Sequence, residues 1–272
     1  MRFIVPAAVT ASLATAACLA TSACLATAAV AADQVSLTAP VPEAERRDIV
    51  FDLGLGARLG PKFPSAKEYV FSPWPIAELK FLRLPGIGEV VTGRRRAVTI
   101  YPAFAFIGER SAADASYLAG TPDVDLAVEL GGGIRAQYGI VRGFVEVRQG
   151  VTGHSGLVGE LGADVVTRPI ERLEVSLGPR ATLASDDYMD TYFAVGPGAA
   201  ALPAYDPDAG LVKLGAELDA TYVLTERVRV HGYAAYNRFV GDAADSPIVE
   251  AGNDDEMRLG IGLTYRFGVD LR

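Results

Sequence analysis

Few side chains in this chain have the type and spacing for chemistry. There are two histidines. His154 lies in Gly153-His154-Ser155-Gly156 and His231 in a stretch of alternating polarity. A serine beside an imidazole can be activated as a nucleophile. In extended backbone, however, adjacent side chains point to opposite faces, so His154 and Ser155 are poorly placed to act together. Asp186 with Asp187, or Asp245 with Ser246, would contribute only through loop geometry. Asp254, Asp255 and Glu256 could hold a metal ion, but a solvated acidic loop accounts for them as simply. Gly131-Gly132-Gly133 sits inside an apolar run, where glycine relieves crowding and does not cradle phosphate. Cys18 and Cys24 are the only cysteines, which excludes a disulfide framework or cysteine nucleophile from the rest of the chain. The sequence therefore predicts no enzyme, no cofactor and no metal site.

Acids outnumber bases 33 to 25 over 272 residues, with no basic block. That balance argues against a nucleic-acid partner. Arg2 is followed by an uncharged run to Ala32 ending in Ala29-Val30-Ala31-Ala32. Residues 1–32 read as a cleaved secretory signal peptide. A membrane anchor is the competing reading, disfavoured because Ala and Thr dominate and no basic cluster follows. A lipoprotein signal would need Leu three residues before Cys18 or Cys24, which neither has. Residues 33–47, with Pro40 and Pro42, read as a flexible periplasmic lead-in.

From residue 48 to 272 the pattern has a period of two. Ile49, Phe51, Leu53, Leu55, Ala57 and Leu59 fall on one face, with Asp52, Gly54, Gly56 and Arg58 on the other. The same alternation recurs around residues 126–135, 172–183, 212–222 and 257–267. No comparable helical periodicity appears. The runs of eleven to fourteen residues exceed sandwich strands and suit an all-β, antiparallel transmembrane β-barrel in outer-membrane lipid, apolar outward and polar inward. Ten strands are expected: 48–59, 74–84, 95–108, 124–135, 139–149, 156–167, 171–183, 210–222, 227–239 and 257–269. Twelve would result if pieces near 86–92 or within 188–196 joined the wall. With the N-terminus periplasmic, the outer connections are 60–73, 109–123, 150–155, 184–209 and 240–256. Four of these five exceed every inner one, as outer-membrane barrels require.

The inward face carries Asp52, Arg58, Glu129, Arg135, Glu174, Arg180, Lys213, Glu217, Asp219, Arg229, Arg258 and Arg266, with Arg142, Glu146, Arg148, Glu160, Asp164, Arg172 and His231 beside them. Mixed signs in a narrow lumen fit either a selective pore or a plug of ion pairs between opposing walls, and the plug is the plainer reading.

Several segments together resemble the MipA/OmpV family of MltA-interacting outer-membrane proteins. They are Gly54-Leu55-Gly56, His154-Ser155-Gly156, the stretch from Asp187 through Tyr188 and Tyr192 to Phe193, and Asp245-Ser246-Pro247-Ile248-Val249 before Gly260-Ile261-Gly262-Leu263-Thr264-Tyr265-Arg266-Phe267. The resemblance implies an outer-membrane barrel of a Gram-negative bacterium. It further implies a scaffold joining a lytic transglycosylase to a penicillin-binding murein synthase, while other members look like adhesins. It supplies no catalytic residues. The chain departs from the barrel pattern by running past Phe267 to Arg272, and residues 85–123 match the family poorly.

Overall fold

The computed structural model describes residues 47–84, 88–91 and 96–270. The proposed signal peptide, and the lead-in apart from Arg47, lie outside the described residues. Ten long antiparallel strands form the wall: β1 (Ile49–Pro61), β2 (Tyr69–Leu84), β4 (Arg96–Ile107), β5 (Ala127–Tyr138), β6 (Val141–Thr152), β7 (Leu157–Ile170), β8 (Leu173–Ala184), β9 (Gly210–Val223), β10 (Val228–Phe239) and β11 (Asp255–Val269). An eleventh, β3 (Gly88–Val91), is a short piece pairing with Phe81–Leu84 of β2. The sheet runs β3-β2-β1-β11-β10-β9-β8-β7-β6-β5-β4. The first long strand pairs with the last, Leu53 opposite Tyr265 and Leu59 opposite Leu259, so the sheet curls into a nearly closed barrel.

The alternation decides which face meets lipid. Leu55, Val98, Ile100, Leu130, Ile134, Val145, Leu177 and Ile261 are exposed outward. Asp52, Glu129, Asp164, Arg180 and Lys213 are buried within. A one-residue slip in any strand would exchange the two sets, so the pattern fixes the register. Tyr222, Tyr236, Tyr265 and Phe267 lie outward near strand ends, as an interfacial girdle does. Among the described residues no helix is long and apolar enough to cross a membrane.

Three details differ from the sequence reading. β2 begins at Tyr69 rather than 74 and runs through Pro73 and Pro75. A strand tolerates these prolines where no ladder donor is needed. The piece near 86–92 does join the wall, as β3. The piece within 188–196 does not: Asp186–Phe193 forms helix α1. Its signal was present, since Tyr188 with Tyr192 and Met189 with Phe193 stand four apart and share a helical face. Asp186 and Asp187 occupy the first turn, where the helix dipole favours acid.

Buried apolar side chains gather at one end of the barrel. The connections at that end are 62–68, 108–126, 153–156, 185–209 and 240–254. The last contains helices α2 (Gly241–Ala244) and α3 (Pro247–Ala251). Val124, Val158, Tyr188, Met189, Tyr192, Phe193, Val212, Phe239, Ala243 and Val249 form one cluster. Phe63, Ala66, Leu118, Val195 and Ile248 form another. Of the five connections only 153–156 gives neither cluster a side chain, yet its His154 packs on their tyrosines.

Candidate functional site

The molecule has two built interiors: the cap over the outer mouth and the charged lumen beneath it.

In the cap, α1 is held by side chains from two other loops. A helix ends with carbonyls that lack an internal partner. Here Arg110, 2% exposed, donates from Nη1 to the Tyr192 carbonyl at 2.8 Å and from Nη2 to the Thr191 carbonyl at 2.9 Å. Ser246, fully buried, donates from Oγ to the Phe193 carbonyl at 2.7 Å. Ser246 is also the N-cap of α3, accepting from the Ile248 amide at 3.3 Å, and Pro247 takes the first turn. Asp245 is the C-cap of α2. The run Asp245-Ser246-Pro247-Ile248-Val249 is therefore a capping motif: it ends one helix, starts another and ties both to α1.

His154 lies where cap and lumen meet. Its ring sits edge-on to Tyr188 and Tyr192, with centroids at 5.1 and 5.6 Å. Nδ1 accepts the Gly156 amide at 3.1 Å, so Nε2 carries the proton toward the Glu129 carboxylate at 3.2 Å. Gly153 makes the turn possible with φ of 75°. Ser155 is exposed on the opposite side of the chain from the buried His154. Both ring nitrogens are committed and the serine points away, so the two do not form a nucleophile–base pair. Burial pushes the Tyr188 and Tyr192 phenols up from their ordinary range, and the nearby Glu129 charge adds to this.

In the lumen, ion pairs stitch neighbouring strands. Near the inner end Asp52, with no exposed surface, accepts both Nε and Nη2 of Arg266 at 2.8 and 3.0 Å. Arg229 stands 3.5 Å from the same carboxylate. His231 bonds Thr264 at 2.8 Å. Midway, Arg180 joins Asp164 at 2.7 Å and Glu217 at 3.0 Å, with Asp219 at 3.9 Å. Arg142 bonds Asp164 and Ser176, and Arg168 pairs Glu174 at 2.7 Å. Nearer the cap Arg148 bonds Glu129 at 2.8 Å and also meets Glu146 and Glu160. Lys213 and Arg258 share Glu256 at 2.9 and 2.8 Å. These pairs lie within one strand, as Arg148 with Glu146 and Arg258 with Glu256, or connect adjacent or next-but-one strands. The sequence had suggested pairing between opposing walls; side-chain reach favours the nearer carboxylate. Glycine clears room for the bulk: a Cβ at Gly162 would collide with Phe144 and with Arg180 Nη1.

Arg172, expected inward, lies exposed in the turn 171–172, whereas the twelve lumen residues from Asp52 to Arg266 named first in the sequence reading project into the barrel. Ten of them belong to these ion-pair groups. Arg58 and Arg135 make no ion pair with a described carboxylate: Arg58 donates to the Phe106 carbonyl at 3.4 Å, and Arg135 lies over the Tyr101 ring at 4.8 Å. Arg110 was missed by sequence reasoning, because a lone arginine in a loop gives no periodic signal. Asp254, Asp255 and Glu256 diverge. Asp254 pairs Arg238, Asp255 accepts from the Tyr236 hydroxyl, and Glu256 turns inward. Among the described residues no group of three acidic, His or Cys side chains could hold a metal ion.

A family model described as MltA-interacting protein MipA matches residues 53–267. No curated protein matches. Solved structures with a similar course include Neisserial surface protein A, at 10% identity, covering 81% of this chain and 97% of that one with a TM-score of 0.30. OmpT of Vibrio cholerae is 13% identical over 73% of this chain and 60% of its own, with a TM-score of 0.30. OprG of Pseudomonas aeruginosa is 11% identical over 82% and 98%, with a TM-score of 0.25. At these scores the likenesses carry no argument about function.

Proposed function

The chain belongs to the MipA family, and from that premise we propose that this outer-membrane-type β-barrel serves as a rigid scaffold. It would hold a lytic transglycosylase and a penicillin-binding murein synthase together beneath the outer membrane of a Gram-negative bacterium. The partner class comes from the family's description as MltA-interacting. The observation that carries the reading is the way the interior is used. Side chains from all five outer connections close around one end, and the described lumen charges are mostly paired to one another, so the fold is spent on immobility. A rigid body set in lipid is what a docking platform needs, since a partner then pays no ordering cost at the anchor.

The surface offered to the periplasm is small. The turns 139–140, 171–172 and 224–227 are short, so docking falls on the barrel rim and the lead-in 33–47. The test is capture of a purified lytic transglycosylase and a penicillin-binding synthase by the refolded chain in detergent, with and without residues 33–47. Capture of both enzymes that weakens on deletion supports the scaffold. Capture of neither removes it, and steady single-channel conductance in planar bilayers would favour a channel.

A further inference from the structure

Among the described residues the wall's ladder is left unclosed at one place. The sheet ends at β3 on one side and β4 on the other. β3 reaches only Phe81–Leu84 of β2. Above it, Phe71–Ala77 of β2 and Val98–Phe106 of β4 have ladder partners on one side only among the described residues. The sequence explains the gap. Pro73 and Pro75 stand on one lip and Pro102 on the other. Proline has no N–H to donate, so three positions that would zip the lips are blocked. The seam is strapped at its outer end, where Arg58 reaches the Phe106 carbonyl at 3.4 Å and Gly108 packs on the Lys62 carbonyl.

Both lips are apolar toward lipid: Phe71, Val98 and Ile100 are 78%, 69% and 70% exposed. Behind them the lumen changes character. Trp74 packs tilted against Tyr233 with ring centroids 5.6 Å apart, and Ile76 and Ala103 are buried beside the charged network. Arg135, one strand in from the β4 lip and near the inner end, leans over Tyr101 with its Nε buried and unbonded. Of the acids nearby, Glu146 bonds Tyr101 and Arg148, and Glu78 pairs with Lys80 while lying within electrostatic reach of Arg135. A seam lined by apolar groups thus opens beside a cation whose Nε is unbonded and that has no described carboxylate within ion-pair distance.

We propose that this seam is a lateral site for an anionic phospholipid, its phosphate on Arg135 and an acyl chain entering between β2 and β4 toward Trp74. An arginine fork recognises phosphate by charge-assisted hydrogen bonds. The proposal does not depend on the scaffold reading, because it concerns lipid and not a murein enzyme.

Trp74 is the sole tryptophan and reports directly. The refolded chain is placed in vesicles of brominated phosphatidylglycerol or of brominated phosphatidylcholine with the same chains. Phosphatidylglycerol should quench Trp74 about twofold more, because the cation raises the local concentration of the anionic lipid. Arg135→Gln should reduce its quenching to the phosphatidylcholine level. Replacing Pro73, Pro75 and Pro102 together with Thr restores the donors and should lower quenching by both lipids. Equal quenching of the unaltered chain by the two lipids overturns the proposal, and this comparison stands even where a variant fails to refold. A phosphatidylglycerol preference that survives Arg135→Gln overturns it as well.

Discussion

The cap and the lumen occupy one cylinder but are held by opposite chemistry. The lumen is strand-built and ionic: its charges sit on periodic positions, and most find a partner within two strands. The cap is loop-built and largely apolar. Its members come from segments distant in sequence, and two of its buried polar groups, Arg110 and Ser246, serve to end helices. Burying a charge costs several kcal/mol unless it is paired, so the lumen is sensitive to the loss of either partner. Burying an aromatic ring is favourable by its area, so the cap is sensitive to volume. The comparison teaches that the barrel's wall and its closure should fail separately.

The largest separation is expected from Phe193→Ala. This ring is fully buried in the cap and packs 5.6 Å from Phe239. Truncating it should cost about 3–5 kcal/mol, read as rapid proteolysis within 185–209 while the barrel still migrates as a folded species on unheated gels. Simultaneous loss of the folded band would mean that cap and wall are one cooperative unit. Asp52→Ala is the complementary change. It strands Arg266 and Arg229, and about 3 kcal/mol should be lost from the wall, lowering the urea midpoint of the heat-modifiable band without exposing the cap to protease. Ser246→Ala removes an N-cap bond and a bond to the end of α1, for about 1–2 kcal/mol. Hydrogen exchange should then quicken in α1 and α3 alone.

The smallest effect concerns a loop clasp. Lys62 ion-pairs with Asp114, which also accepts the Ser111 amide at 2.8 Å. These bonds hold the Asp114 carboxyl below its ordinary range. A carboxyl lowered in the folded state stabilises above its unfolded value and loses that contribution as pH falls through the folded one. Protease sensitivity of 108–126 should therefore rise on acidification below about pH 4. Asp114→Asn should remove the pH response.

The wall was largely legible in the sequence because a period of two is a local signal; Arg172 is the exception, read as inward but exposed in the turn after β7. The start of β2 was not legible: Tyr69–Pro73 belongs to the strand by its pairing with β1, and prolines fit there only because the other edge lacks a ladder partner. The cap was illegible as a unit. Tyr188 and Tyr192 at helical spacing announced α1, but nothing local connects Arg110 to the Thr191 and Tyr192 carbonyls some eighty residues away. Asp245-Ser246-Pro247 was visible as a motif. Its purpose, tying α2 and α3 to α1, depends on tertiary position.

A surface made this way has a consequence for mapping what the cell exterior sees. Excising any single outer segment removes part of a shared foundation, so antibodies or phage would lose footholds on segments that were never cut. Footprints on this face need point changes at solvent-facing positions such as Asp187 or Glu250, because deletion scanning would report the collapse of a neighbourhood in place of the address of a receptor.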